Sequence, residues 1–187
     1  MDPLKAYITS TIEIDDEQLN EIVDHFEPRQ VPKNKHLVLK GQLMDTYYFI
    51  LSGGLRVYLN NDDKDVTAWL SFENNWLVDI ACIRNGTPTI YNIEAIEDTQ
   101  LLTISSKQMD ALYEHYPKWQ EFGRKLWEKA FLQVVDSMIR HQTLSAEDRY
   151  LYYLGQSDLL QRVPLKQLSS FLGITPSSLS RVRRKIK

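Results

Sequence analysis

The most constraining feature of this chain is its last 29 residues, Leu159 to Lys187, which carry seven of the 22 Lys and Arg residues and no Asp or Glu. All 25 acidic residues lie before them, so the formal net charge of −3 combines an acidic body with a basic end. This division predicts one polyanion-binding module attached to a part of the chain that has another task.

Within this basic end the residue spacing predicts two short helices joined by a tight turn. The first helix follows Pro164, which suits a first helical turn, and places its apolar residues on one face: Leu165, Leu168, Phe171 and Leu172. Gly173 supplies a helix stop, and Thr175 caps a second helix that has Pro176 at its first position. Together these signals predict a helix-turn-helix.

The second helix has the side chains of a recognition helix. Its inward stripe is Leu179, Val182 and Ile186, and its outward stripe is Ser177, Ser180, Arg181 and Arg184. The guanidinium of Arg181 can bind guanine O6 and N7, while small Ser side chains let the helix lie deep in the major groove. Basic residues including Lys187 are interpreted as phosphate contacts. The predicted DNA-binding residues are Lys166, Thr175, Ser177, Ser178, Ser180, Arg181, Arg183, Arg184 and Lys185. An amphipathic hairpin with a solvated basic face is the alternative.

The stretch from Gln161 through Lys185 resembles the C-terminal helix-turn-helix of the Crp/Fnr transcription regulators, in the style of the short members typical of Bacteroidetes-type bacteria. The family often presents a Glu-x-x-Ser-Arg pattern to bases, to which Ser177, Ser180 and Arg181 correspond. Ser177 replaces the acid that would accept a hydrogen bond from cytosine N4. The resemblance implies a sequence-specific DNA-binding regulator whose half-site cannot be taken from the family's usual one.

The body of the chain has the pattern of an antiparallel β-fold. A helix is predicted from about Asp15 to Phe26, followed by short β-type runs between turn signals: His36–Leu39, Tyr47–Leu51, Leu55–Leu59, Val66–Leu70 and Gln100–Ile104. The segment Asn60–Asp65 is predicted as a hairpin loop, without the Gly and distal Glu of a calcium loop. Strands at this spacing predict a sandwich or jelly roll.

Two segments resemble the opening of the family's cyclic-nucleotide-binding-type β-roll, namely Lys40–Gln42 and Tyr48–Gly54. The predicted fold class is therefore α+β, with an N-terminal antiparallel β-roll of the jelly-roll or cyclic-nucleotide-binding-like kind, a long dimerisation helix and a C-terminal helix-turn-helix.

The resemblance also locates a ligand pocket. In cyclic-nucleotide-binding members a Gly-Glu pair opens a cassette, and an Arg-Ser or Arg-Thr pair follows about ten residues later to hold the phosphate. Val78-Asp79 and Thr89-Ile90 stand at these positions, so the charge partner of the phosphate is gone. Arg84 lies nearby but at the wrong point of the loop. The predicted degenerate pocket comprises Asp79, Arg84, Thr89, Ile90 and Tyr91, its effector is unknown, and cyclic AMP is disfavoured.

The sequence does not contain the sets of residues that other cofactors or a catalytic site would require. Cys82 is the single cysteine, which excludes an internal disulfide and the roughly four-Cys ligand set of an iron–sulfur cluster. It is interpreted as core filling rather than as a redox sensor. The four His are scattered singly, so neither haem nor another metal is predicted. No cupin-like metal set or nucleophile–base arrangement occurs, and no cofactor or enzyme activity is expected.

A coupling element is predicted between the roll and the basic end. Ser105 or Ser106 caps a short helix, and Pro117 opens a long helix to about His141. The predicted dimerisation residues recur every three or four positions: Trp119, Phe122, Leu126, Ala130, Val134 and Met138. The stripe is broadened by Trp127, Phe131, Val135 and Ile139, which favours packing on both the roll and a twin helix. Burial wholly within one subunit is the alternative. Ser145 then caps another helix.

The predicted organisation is a sensor β-roll domain over residues 1–116, a dimerisation helix over 117–141 and a DNA-binding domain over 142–187. No apolar run is long enough to span a bilayer and Met1–Lys5 lacks a signal-peptide pattern, so a cytoplasmic location is expected. The leading hypothesis is a homodimeric transcription regulator with double-stranded DNA, a second copy and RNA polymerase as partners. The alternative is a small-molecule-binding β-roll module acting through protein contacts rather than DNA.

Overall fold

A computed structural model describes residues 1–61, 64–156 and 161–186. The helices of this part are α1 (Asp2–Thr11), α2 (Asp16–Val23), α3 (Ile80–Asn85), α4 (Ser106–His115), α5 (Pro117–Thr143), α6 (Ala146–Gln156), α7 (Leu165–Phe171) and α8 (Pro176–Ile186). The strands are β1 (Glu27–Val31), β2 (His36–Val38), β3 (Thr46–Ser52), β4 (Gly54–Asn61), β5 (Lys64–Phe72), β6 (Trp76–Leu77), β7 (Asn92–Ala95) and β8 (Thr99–Ser105).

The strands form two antiparallel sheets that share one core. Their strand orders are β1-β8-β3-β6 and β2-β7-β4-β5. Strand β3 shows how the alternation of side chains builds both sides of its sheet. Tyr48 and Ile50 face the second sheet, whereas Tyr47 and Phe49 face a layer of helices. The predicted α+β fold is confirmed: an antiparallel β-roll is followed by the 27-residue helix α5.

Four helices cover the outer face of the first sheet. Helices α1, α2, α4 and the start of α5 contribute to the core that contains Phe49. Helix α1 was not predicted, although Leu4, Ile8 and Ile12 lie four residues apart and are buried. The predicted capping of α4 is confirmed, because Ser105 and Gln108 form a reciprocal capping box.

The hairpin between β4 and β5 is tighter than the sequence predicts. Asn60 pairs with Asp65 and Asn61 with Lys64, so the strands extend into the predicted loop Asn60–Asp65. The prediction of a six-residue loop is therefore wrong for these four positions, and its remaining residues, 62–63, lie outside the described residues. Polar turn-forming residues are compatible with this strand end because cross-strand pairing satisfies their backbone.

A close contact at Gly123 joins α5 to α4. A Cβ atom on Gly123 would lie 2.6 Å from Cε1 of Tyr113, whose ring also stacks on Trp119. We expect Gly123→Ala to lower the free energy of unfolding by about 1–2 kcal/mol, because overpacking outweighs the gain in helix propensity. Urea titration measures this change. Gly155→Ala is the matched control, since a Cβ on Gly155 in α6 meets no described atom within 4 Å. Equal stability of the two variants would show that the Tyr113 ring moves aside without a measurable change in the free energy of unfolding.

Candidate functional site

The two C-terminal helices are joined by a turn with a fixed geometry. Gly173 has a φ of +70°, a left-handed conformation that glycine adopts without strain. The Thr175 Oγ1 atom then accepts a hydrogen bond from the backbone N–H of Ser178 at 3.2 Å, and α8 begins at Pro176. The two helices, the glycine turn and the Thr175 cap therefore lie at their predicted positions.

Helix α8 presents one apolar and one basic face. Leu179 and Val182 are buried against the neighbouring helices, as predicted. On the opposite face Ser177, Arg181 and Arg184 are exposed, and Ser180 is half-buried. Within residues 1–61, 64–156 and 161–186, neither of these two Arg side chains forms a hydrogen bond or an ion pair. Their guanidinium groups are therefore free to contact a ligand outside the chain.

Other basic residues of the tail are engaged by the protein itself. The Arg183 Nε atom donates to the Tyr150 hydroxyl at 3.2 Å, and Lys185 Nζ lies 3.3 Å from a carboxylate oxygen of Glu147. Both residues thus contact α6, and their predicted role in phosphate binding stays a prediction. Lys166 on α7 is exposed, and Lys187 lies outside the described residues.

Arg162 is neutralised by two acids of the β-roll. It binds both carboxylate oxygens of Glu73, at 2.8 and 3.0 Å, and also contacts Glu97. Burial alone would raise the pKa of Glu73, but hydrogen bonds from Arg162 and from backbone N–H groups outweigh it and lower that pKa. The stabilisation is therefore present above the ordinary pKa of 4.5 and is lost as the pH falls through the lowered value.

Helix α7 is docked against the edge of the second sheet. Ser170 Oγ donates to the backbone oxygen of Asp65 and accepts from the backbone N–H of Thr67, at 2.8 and 2.9 Å. Leu168 of α7 shares a core with Phe72 and Ile96 of the roll. The helices are thus held in a defined position relative to the roll.

Arg149 of α6 connects the ends of two other helices, α5 and α7. Its guanidinium donates to the backbone oxygens of Leu144 at 2.7 Å, His141 at 3.2 Å and Leu172 at 2.9 Å. These contacts satisfy carbonyl groups at the ends of α5 and α7, where the helix itself supplies no partner.

We expect Arg149→Met to lower the free energy of unfolding of α6–α8 by about 2–3 kcal/mol, because charge-assisted hydrogen bonds to three backbone carbonyls at helix ends are lost. Hydrogen exchange of the α6–α8 amides measures this local stability. Arg184→Met is the matched control and is expected to change it by less than about 0.5 kcal/mol, since Arg184 is exposed on α8. Equal protection in the two variants would contradict the assigned role of Arg149.

The predicted ligand cassette is closed by its own hydrogen bonds. Asp79 caps α3 by accepting from the backbone N–H of Cys82 at 3.1 Å, and it also accepts from Thr89 Oγ1 at 2.6 Å. Thr89 is buried, whereas Arg84 extends away and forms two hydrogen bonds with Asp110. Of the predicted pocket residues, Asp79, Ile90 and Tyr91 line the cavity described below, and Thr89 and Arg84 do not.

A cavity of about 550 Å³ lies between this cassette, the sheets and α5. Its wall is rich in aromatic side chains: Tyr7, Tyr47, Trp69, Trp76, Tyr91 and Trp127. The charged residues that line it are Asp79 and Lys129. Tyr7 was missed because helix α1 was not predicted, and the Trp residues were missed because sequence alone does not show which face they occupy.

Two predicted dimerisation residues belong to the protein's own core. Trp119 and Phe122 are both 0% exposed and pack against the first sheet, which corrects their assignment to a dimer surface. Leu126 packs on the same core, and Ala130 lines the cavity. Val134 and Met138 are exposed, as are Trp127 and Phe131, which the sequence placed at the margin of the stripe. The exposed seam of α5 is therefore Trp127, Phe131, Val134 and Met138.

The described residues contain no group of three or more His, Cys, Asp or Glu side chains that could hold a metal ion. Cys82 is buried, and its sulfur accepts from the backbone N–H of Met44 at 3.0 Å. Over the same part of the chain no helix has the length and hydropathy to cross a membrane.

Comparisons with known proteins agree with this architecture. Residues 28–116 match the cyclic nucleotide-binding domain. No curated protein sequence matches the chain. Among solved structures, the c-di-GMP-responsive global regulator CLP of Xanthomonas campestris is 17% identical, with a TM-score of 0.71 over 92% of this chain and 91% of that one. FixK2 of Bradyrhizobium japonicum is 16% identical, with a TM-score of 0.72 and coverages of 86% and 84%.

A transcriptional regulator assigned to the Crp/Fnr family from Eubacterium rectale is 18% identical, with a TM-score of 0.69 and coverages of 92% and 83%. At these identities the similarity establishes the shared fold, in which an antiparallel β-roll is followed by a long helix.

Proposed function

We propose that this protein is a homodimeric, sequence-specific DNA-binding transcription regulator of the Crp/Fnr type. The observation that carries the proposal is the exposed face of α8, on which Ser177, Arg181 and Arg184 lie beyond a capped glycine turn. A helix presented in this way can enter the major groove, where side chains distinguish base pairs by their hydrogen-bonding edges.

The free basic side chains divide into two roles. Arg181 is central on the exposed face and has the fork geometry for guanine O6 and N7. Arg184 on α8 and Lys166 on α7 are exposed and contact phosphates, which position the helix without reading sequence. Thr175 and Ser178 contribute through the start of α8, where backbone N–H groups also favour phosphate.

The small number of base pairs that one recognition helix contacts favours a dimer. One helix contacts only a few base pairs, whereas a dimer contacts two half-sites about 34 Å apart. The exposed seam of α5 supports this assembly because its members recur at alternating spacings of four and three residues, the repeat of a two-stranded coiled coil.

The proposal extends to a regulator without enzymatic activity that acts in the cytoplasm and communicates with RNA polymerase. The global regulator CLP and the Crp/Fnr-family transcriptional regulator, which have similar structures, support the regulatory role in this proposal. Cyclic AMP is not its effector, because Thr89 stands where the family's cassette has the Arg that neutralises the phosphate, and the Thr89 hydroxyl donates to Asp79 instead.

Genomic footprinting of the purified protein, with and without cell-extract metabolites, tests the proposal. We expect protection of pseudo-palindromic sites whose affinity falls steeply with salt concentration. Absence of salt-dependent DNA binding would reject the proposal and leave a module that acts through protein contacts.

A further inference from the structure

The cavity beneath α5 has the size of a small-molecule site. Its volume of about 550 Å³ lies within the roughly 300–1,000 Å³ that ligand pockets occupy. Cassette residues, side chains of β4, β5 and β7, and the segment of α5 from Leu126 to Val134 line it. A molecule in this cavity would therefore contact the cassette and the long helix together.

The cassette end of the cavity is unsuited to a phosphate. Both carboxylate oxygens of Asp79 are held by donors of the protein, one from Thr89 and one from the backbone of Cys82. An anionic ligand at this end would meet that carboxylate at close range, and the lining cation, Lys129, lies on α5 rather than in the cassette. Arg84 cannot serve, since its guanidinium is paired with Asp110 outside the cavity.

The other lining charge, Lys129, is on α5. Lys129 on α5 is exposed, and its ammonium group lies 5.0 Å from the centre of the Tyr7 ring and 3.3 Å from the Tyr7 hydroxyl. It is solvated and already placed against an aromatic face, so it does not require a ligand anion. The described residues that line the cavity therefore provide no buried positive charge to recognise an acid.

The remaining wall is apolar and aromatic. Trp69, Trp76 and Trp127 contribute indole rings from three different elements. Ile90 at the cassette is 55% exposed. Covering these side chains removes apolar surface from water, which favours binding of an apolar molecule.

We propose that this cavity binds an uncharged, ring-containing apolar small molecule in place of a cyclic nucleotide. Flat rings can stack on the indole walls, and the cassette presents the carboxylate of Asp79 without a cation beside it, which selects against phosphates. Such a ligand bridges the cassette and α5. Binding itself depends only on the roll and α5, whereas control of DNA binding by the ligand rests on the proposed function.

Titration of the full chain with N-phenyl-1-naphthylamine, an uncharged aromatic probe, tests the inference. We expect saturable binding that quenches the emission of the Trp residues lining the cavity, and no displacement of the probe by millimolar cyclic AMP.

Ala130→Phe fills the cavity from α5 and should weaken binding by more than about tenfold. Ala130→Leu, a smaller change that suits a helix, should weaken it less. Ala111→Phe on the exposed face of α4 is the matched control and should bind as the wild type does.

Displacement by cyclic AMP, absence of saturable binding, or wild-type binding by both Ala130 variants would overturn the inference. Gel-shift measurements on the same preparations separate its failure from that of the proposed function. Specific DNA binding without probe binding rejects the ligand inference alone. Probe binding without DNA binding rejects the transcription-regulator proposal alone.

Discussion

Arg181→Ala is expected to lower the affinity for the preferred DNA site by roughly 5- to 150-fold, equivalent to about 1–3 kcal/mol for the loss of one bidentate contact to a base. Affinity for unrelated sequences should change little, because phosphate contacts supply nonspecific binding. The side chain is exposed on α8 and bonds to no other described residue, so its removal leaves the fold intact. Binding selection from a randomised half-site measures the change as a loss of preference at one or two positions.

Lys166→Ala is the matched control for this prediction. Lys166 is also exposed and basic, but it lies on α7 rather than on the outward face of α8. Its loss should weaken binding to all sequences alike and lower the slope of log affinity against log salt by about 1. If Arg181→Ala instead reproduces the Lys166→Ala pattern, α8 is not the recognition helix. If Arg181→Ala leaves both affinities unchanged, α8 does not bind DNA.

Local features of this chain were predictable because their hydrogen bonds join neighbours in sequence. The cap at Ser105, the opening of α5 at Pro117 and the cap at Thr175 lie where the sequence predicts. Each depends on a side chain that satisfies a backbone N–H within one turn, or on a proline that needs no such partner. The five predicted β-type runs overlap β2, β3, β4, β5 and β8, since the apolar residues of these strands occur in short runs between turn signals, whereas β1, β6 and β7 were not predicted.

Long-range pairings were not predictable from the same sequence. Arg162 adds to the positive charge of the tail, yet Glu73 and Glu97 neutralise it from 89 and 65 positions away. The basic character of the DNA-binding face therefore depends on fewer residues than the composition suggests. Likewise, hydrogen bonding between Asp79 and Thr89 could not be read from a motif that merely lacks arginine.

In helix α5, too, the sequence does not show which long-range contacts the apolar residues make. Periodicity places Trp119 and Val134 in one stripe but does not distinguish a residue packed on its own sheet from one that awaits a second chain. The structure distinguishes these two kinds of residue by their position along α5. The first turns of α5 cover the β-roll core, and the helix then extends beyond it, so apolar residues such as Phe131 and Met138 remain exposed.

Phe131→Glu is expected to convert the proposed dimer into a monomer at micromolar concentration. Phe131 lies in the exposed seam of α5 and is 67% exposed in the single chain. In a two-stranded assembly the substitution removes about 1.5–3 kcal/mol of apolar burial from each chain and places two carboxylates close to the two-fold axis. Sedimentation velocity over a concentration series measures the change in assembly. Affinity for a two-half-site operator should fall by more than about 100-fold, because the second half-site no longer binds as an intramolecular event.

Leu132→Glu is the matched control for the seam. Leu132 is 65% exposed, nearly the same as Phe131, but it is the next residue along the helix and therefore points about 100° away from it. The dimer should survive this substitution, and operator affinity should stay close to that of the wild type. If Leu132→Glu dissociates the protein while Phe131→Glu does not, the two chains meet on the other face of α5. If neither substitution changes the sedimentation of a dimer, α5 does not hold the two chains together, and the spacing of the recognition helices is set elsewhere in the molecule.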